Sequence, residues 1–234
     1  MRTGAKRTRI LPDLGAAAAY DPDCRRCGRL AGFLDQVRSQ YPAYFCRPVP
    51  PFGATEASLV IVGLAPGMHG ANASGRPFTG DHAGILLYET LHAFGFASQP
   101  TGARRDDGLV LIDARITNAV KCLPPGNKPT PAEIRACNGF LAADLARMPA
   151  GGAVLALGRI AHDATLRALG RPLSGCVFAH GARHPLGDGK VLFDSYHCSR
   201  YNTNTGRLTP AMFRSVMEAI AGHVGGRAAP ARAA

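Results

Sequence analysis

Between Ser58 and Gly84 the chain reads SLVIVGLAPGMHGANASGRPFTGDHAG, and this stretch restricts the fold more than any other. Leu59, Val60, Ile61 and Val62 form a short apolar, β-branched run, the pattern of a buried strand. The run stops at Gly63 and opens into a long loop rich in Gly, Asn and Ser. A helical pattern resumes near Gly84 with Ile85, Leu86, Leu87, Leu91 and Phe94. A buried strand that leads through a polar loop into a helix is where open α/β sheets place ligands. Loops of this length without structure of their own tend to be functional. This one carries His69, Asn72, Arg76, Phe78, Asp81 and His82, and its glycines allow close backbone approach to a ligand.

A nucleotide loop is the obvious rival. Gly70 and Gly75 have P-loop spacing, but Arg76-Pro77 follows where Lys-Ser/Thr is needed. The hydroxyl for magnesium is missing, and proline removes a backbone donor. No Gly-x-Gly-x-x-Gly follows the strand either. A phosphate-binding NTPase is therefore disfavoured.

The 234 residues suit one α/β domain with tails, and a hydrophobic content of 46% supports a globular core. A formal net charge of +11 favours an anionic partner, with nucleic acid leading; the bland alternative is a solubility charge from an Arg-rich composition. No apolar run approaches the ~20 residues of a membrane helix. The basic N-terminus lacks a signal-type apolar segment, so a cytoplasmic location is expected; no membrane contact and a monomer are further expectations. Seven cysteines in such a chain point to thiols or metal ligands rather than a disulfide framework.

In chain order, residues 1–22 read as a flexible basic arm, 23–224 as the folded domain and 225–234 as a disordered tail. Leu30, Phe33, Leu34 and Val37 share a helical face that runs to about Gln40, and the Pro-rich stretch 41–57 reads as loop. Residues 99–108 read as an exposed turn region, and Leu109 to Ile112 and Ile116 to Val120 as short extended pieces. Thr130-Pro131-Ala132-Glu133 is a strong helix start, with a capping Thr, Pro in the first turn and Glu at the third helical position. Ala153 to Leu157 reads as a strand, Gly158 to Leu169 as a helix, Val191 to Tyr196 as the last strand, and Thr209 to Gly222 as the last helix. Alternating strands and helices predict a doubly wound, largely parallel sheet.

Cys24-x-x-Cys27 lies near the mouth of the first helix, while Cys122 and Cys137 flank a Pro-rich loop far downstream. Four thiolates from two places can hold zinc or an iron–sulfur cluster. The second pair lacks Cys-x-x-Cys spacing, and Cys137 also reads as a small buried hydrophobe on the apolar face of its helix. From the residues alone both readings stand.

Three longer motifs then occur in order: Gly63-Leu64-Ala65-Pro66-Gly67 through Gly80-Asp81, Thr117-Asn118-Ala119-Val120-Lys121-Cys122-Leu123-Pro124-Pro125, and Tyr196-His197-x-Ser199 with Asn204-Thr205-Gly206-Arg207-Leu208-Thr209. Over roughly Cys24 to Met212 the chain resembles the family-five, B-type uracil-DNA glycosylases. That resemblance implies a single-domain, three-layer α/β/α sandwich with a structural 4Fe–4S cluster on Cys24, Cys27, Cys122 and Cys137. It implies a monofunctional glycosylase that flips uracil out of double-stranded DNA and hydrolyses its N-glycosidic bond. Hypoxanthine, xanthine and 5-hydroxymethyluracil are the further lesions expected. Many relatives carry a carboxylate or amide just after the first motif glycine, where this chain has Leu64 and Ala65. Asp81 is left as the candidate for that charge. Cys198 stands where the usual motif has proline, which suggests a more mobile loop or a His197 held differently.

Within this reading Asp81 and His197 are the catalytic candidates. Phe78 would stack on the extruded base and Asn118 would pair with its edge, with Ala65, Gly67 and His69 as further base contacts. Ser199, Arg200, Asn202 and Arg207 would hold flanking phosphates and Tyr201 would wedge into the stack. The plain readings are a core Phe78, a turn-closing Asn118, an N-capping Asp81 and a solvated Arg-rich loop. His82 reads as a phosphate contact or a solvated ring. Two rival functions remain: a non-catalytic metal-stabilised DNA-binding module, which Leu64-Ala65 would favour, and a hydrolase of free nucleosides.

Overall fold

The computed structural model describes residues 19–225. Residues 1–18 of the expected arm and 226–234 of the expected tail lie outside the described residues. Of the arm's remainder, Tyr20 donates its hydroxyl to the Pro48 carbonyl.

Helix α1 (Gly28–Gln40) is followed by a two-residue strand β1 (Phe52–Gly53) and the central strand β2 (Leu59–Gly63). The organising loop holds one short turn of helix, α2 (Ala71–Ser74), and ends at α3 (His82–Ala93). Next come β3 (Ala114–Asn118), α4 (Pro131–Ala146), β4 (Ala153–Leu157) and α5 (Arg159–Ala168). The chain closes with β5 (Arg183–Gly187), β6 (Lys190–Ser195), the short α6 (Arg200–Asn204) and α7 (Pro210–Val224).

The six strands lie in the order β1-β3-β2-β4-β6-β5. The inner four are parallel, and the edge strands β1 and β5 run antiparallel to their neighbours. Both edges escaped the sequence reading: β1 is two residues inside a Pro-rich stretch, and β5 carries Pro185, which an edge strand tolerates. Leu109 to Ile112 forms no strand; Leu111 makes a single bridge to Ala97.

Alternation along β2 builds the layers. Leu59 and Ile61 pack with Leu87 and Leu91 of α3 and Phe213 and Met217 of α7. Val60 and Val62 face the other way, toward Leu30 of α1, Leu141 and Leu145 of α4 and Ala161 and Ala164 of α5. The expected three-layer α/β/α arrangement is therefore present. Helix α4 begins as its sequence dictates: the Thr130 hydroxyl accepts from the Glu133 N–H at 3.3 Å, and Glu133 Oε2 accepts from the Thr130 N–H at 2.7 Å. Glu133 also takes two bonds from Arg29, at 2.8 and 2.7 Å, which ties α1 to α4.

The register matters most for function. Gly63 of β2 lies beside Asn118 of β3, and Leu157 of β4 beside Ser195 of β6. Parallel pairing thus delivers four strand ends, and the loops beyond them, to one edge of the sheet. The order reverses about β2, the switch point at which such sheets open a crevice.

Candidate active site

That crevice is a cavity of about 480 Å³. It is lined by Leu64, Ala65 and Gly67 from the loop after β2, then Phe78, Asp81 and His82. Asn118 comes from the end of β3, Gly158, Arg159 and Ile160 from the start of α5, and His197, Ser199 and Arg200 from beyond β6. Eight of the residues expected at the site therefore share one cavity: Asp81, His197, Phe78, Asn118, Ala65, Gly67, Ser199 and Arg200.

Asp81 stands at the N-cap position of α3, yet its side chain makes no capping bond. Instead Oδ2 accepts from the Ala71 N–H at 3.0 Å. Burial raises its pKa, and the Ala71 bond opposes this. Two glycines make room for it. A Cβ on Gly70 would fall 2.0 Å from Asp81 Oδ1, and one on Gly67 would fall 2.4 Å from the same atom.

Phe78 is 6% exposed and adopts φ 56°, a left-handed conformation uncommon for a bulky residue. It belongs at once to the core and to the cavity wall. Its backbone is held on every side. The Tyr88 hydroxyl donates to the Pro77 carbonyl at 2.6 Å, and Gly84 passes so close that a Cβ would lie 1.9 Å from the Phe78 carbonyl oxygen. Arg76, 5% exposed, donates to Asp107 at 2.9 and 2.7 Å and to Thr79 at 2.6 Å. The Phe78 ring stacks on His197 with centroids 5.9 Å apart and planes 27° apart.

His197 follows β6, and its pKa is lowered to about 4 by burial. The imidazole is therefore neutral at physiological pH. Its backbone carbonyl accepts from Asn202 Nδ2 at 2.9 Å, so Asn202 shapes the loop from within. Cys198, which stands where the usual motif has proline, is fully buried in the apolar core with Leu208 and Phe213. The Ser199 hydroxyl accepts the Asn202 N–H at 3.4 Å and caps α6.

Asn118 is 3% exposed, and its Oδ1 has no hydrogen-bond partner among the described residues. An unpaired buried amide oxygen on a cavity wall is costly unless a ligand supplies the donor. Lys121, which sequence reasoning passed over, fixes this end of β3. It is 1% exposed, donates to the Asn118 carbonyl at 3.1 Å and pairs with Asp144 at 3.3 Å. A buried lysine has no sequence signature. Arg159, Ile160 and Asn127 also reach the cavity and were not anticipated.

His69, expected among the base contacts, does not line the cavity. Its Nδ1 lies 2.9 Å from the Tyr44 hydroxyl, and its ring meets Tyr41 and Tyr44 edge-on. Arg207 sits over the Tyr196 ring at 4.6 Å, and Tyr201 is 71% exposed.

In the layer of α1, α4 and α5, Cys24, Cys27, Cys122 and Cys137 line one small cavity. The Cys122 thiol is pushed up to about 12, first by burial and then by Cys137, Cys24 and Cys27. The Lys121 N–H donates to Cys137 Sγ at 3.3 Å, and Arg26 Nε to Cys24 Sγ at 3.4 Å.

Fold and site together define a doubly wound α/β protein with a carboxylate, an imidazole and an amide around one cavity at the ends of the parallel strands. Residues 50–221 match the family model for the uracil DNA glycosylase superfamily. The chain is 47% identical over 199 residues to the type-5 uracil-DNA glycosylase of Thermus thermophilus, covering 83% of this chain and 90% of that protein. It is 42% identical over 205 residues to that of Mycobacterium tuberculosis, with coverage of 82% and 75%. The type-5 enzyme of Pyrobaculum aerophilum is 39% identical over 207 residues, with coverage of 87% and 90%. The chain belongs to the uracil-DNA glycosylase superfamily, in its type-5 branch.

Proposed function

We propose that this protein is a monofunctional DNA glycosylase that excises uracil from double-stranded DNA in base excision repair. One observation carries the reading: the buried, unpartnered Asn118 Oδ1 shares its cavity with the Asp81 carboxylate and the stacked Phe78–His197 pair.

The reaction breaks the bond between C1′ of the sugar and N1 of the base. The base must first leave the helix, because that bond is out of reach within the stack. Phe78 receives the extruded ring by stacking, an interaction worth ~1–3 kcal/mol per base. Asn118 Oδ1 accepts the N3–H of uracil while its Nδ2 donates to O4. As the bond lengthens, positive charge grows on the sugar and negative charge on the base. His197, held neutral, donates to O2 and stabilises the departing anion; such a donor is worth about 3 kcal/mol. Asp81, ionised, stabilises the cationic sugar and orients the attacking water. Leu64 and Ala65 take no part in either task and serve as walls.

Among the described residues no lysine lines the cavity, and the Lys121 amine is tied to Asn118 and Asp144. This supports simple hydrolysis to an abasic site rather than Schiff-base chemistry. Ser199 and Arg200 at the cavity mouth, with Arg207 beyond them, would take the flanking phosphates, and Tyr201 the place of the lost base. The small residues Ala65 and Gly67 leave width for hypoxanthine, xanthine or 5-hydroxymethyluracil.

The four-thiol donor set at the cysteine cavity suits a 4Fe–4S cluster. Its donors are four sulfurs lining one small cavity, with two N–H groups aimed at sulfur. Cys24, Cys27, Cys122 and Cys137 would hold the cluster, which would supply a structural cross-link between α1, the end of β3 and α4.

The test is to incubate a uracil-containing duplex with the folded, brown protein, then treat with alkali. Strand cleavage at the uracil is expected, with the other lesions ranked on the same assay. Intact strands would favour a non-catalytic DNA-binding module. Turnover of free deoxyuridine with weak salt dependence would favour a nucleoside hydrolase.

A further inference from the structure

Three side chains that take no part in the base cavity meet inside the molecule. Asp194 of β6 is fully buried and His162 of α5 is 1% exposed; His184 of β5 is partly covered. His162 Nδ1 lies 2.8 Å from Asp194 Oδ1, and His184 Nε2 lies 3.1 Å from Asp194 Oδ2. One nitrogen or oxygen from each residue lies within 4.8 Å of the others. The two imidazoles meet edge to face with centroids 5.2 Å apart.

The outer nitrogen of His162 decides how this cluster reads. Nε2 is 3.0 Å from the Cys176 carbonyl oxygen, which can only accept, so Nε2 carries a proton and donates it. In a neutral ring Nδ1 then holds a lone pair, and that lone pair faces a carboxylate. A positive centre must lie between them. A proton meets that need for one contact. Two imidazole nitrogens and a carboxylate drawn around one point, with a backbone carbonyl orienting one ring, form the arrangement that proteins use for zinc.

We propose that His162, His184 and Asp194 bind a divalent cation of the zinc type, with water as fourth ligand. The nitrogen and oxygen donors suit such an ion, and they are chemically distinct from the four thiols at the cysteine cavity. The ion would lock α5, β5 and β6 together below the strand that leads to His197. Its role is structural, since none of the three ligands touches the base cavity.

Zinc chloride added to cluster-loaded protein, followed by desalting and elemental analysis, tests the assignment. One zinc per chain is expected, with iron content and visible absorbance unchanged and the unfolding midpoint raised, as for any ligand of the native state. His184→Gln should lose the zinc and the midpoint shift while keeping iron and uracil excision. His162→Gln provides a second arm should the first variant fold poorly. Zinc that persists in a folded His184→Gln protein, or zinc gained only as iron is lost, belongs elsewhere and overturns the proposal. So does wild-type protein that retains no zinc, because protons alone then hold the cluster.

Discussion

Asp81 and His197 titrate away from their ordinary ranges in opposite directions, and burial is the leading cause for both. Burial penalises whichever form is charged, so it keeps the imidazole neutral and makes the carboxylate reluctant to ionise. The acid limb of single-turnover excision should therefore lie above the ordinary carboxylate range. Asp81→Asn should remove that limb along with most activity; a limb that survives in the variant assigns it to another group. His197→Ala should slow excision by about 10²–10³-fold with DNA affinity retained, because its donor matters when the base becomes anionic. Loss of affinity with an unchanged chemical step would reassign His197 to binding. Gly70→Ala places a methyl where the Asp81 carboxylate now sits. A folded variant with a normal KM and sharply reduced kcat is expected, and wild-type kcat would mean that the Asp81 position is not critical.

At the scale of elements, the Arg76–Asp107 pair holds the Phe78 turn in a conformation that its backbone would not choose. Asp107 sits well below the usual carboxylate range, chiefly through its hydrogen bonds from Arg76. A depressed native pKa means that this stabilisation is complete above the unfolded value of ~3.9 and is lost as pH falls toward the native one. Asp107→Asn should cost ~3–5 kcal/mol, since it leaves the buried Arg76 without its partner. Its denaturation midpoint at pH 7 should drop accordingly, and the gap to wild type should close in strong acid. A gap that is independent of pH would show that Asp107 acts by packing alone. The same clamp explains why Phe78 is both core and wall: the turn that presents its ring to the cavity also buries its edge.

For the molecule as a whole, the sheet and the cysteine cavity have separate duties. The sheet sets the base cavity, while the proposed cluster on the four thiols would join α1 to the segment after β3 and to α4. Cys122→Ser should lose the brown chromophore and solubility before any change in lesion preference. An unchanged visible spectrum would remove Cys122 from the cluster. The formal net charge of +11 is a property of the whole sequence and would favour the approach to an anionic partner rather than the choice of base.

The sequence by itself was enough for the central strand, the α4 start and the alternation that makes a doubly wound sheet, because period and capping are local physics. Three motifs in order also carried the family and most of the candidate residues that line the cavity. The edge strands β1 and β5 were hidden, since short segments with proline are defined by the neighbour that they pair with. Tertiary structure alone decided that His69 turns to Tyr44 while Phe78 turns to His197, and that Cys198 anchors its loop. It alone brought Arg76 to Asp107, Lys121 to Asp144 and His162 to Asp194. Pairs so distant along the chain leave no periodic trace, because packing selects them only after the sheet has fixed which loops lie side by side.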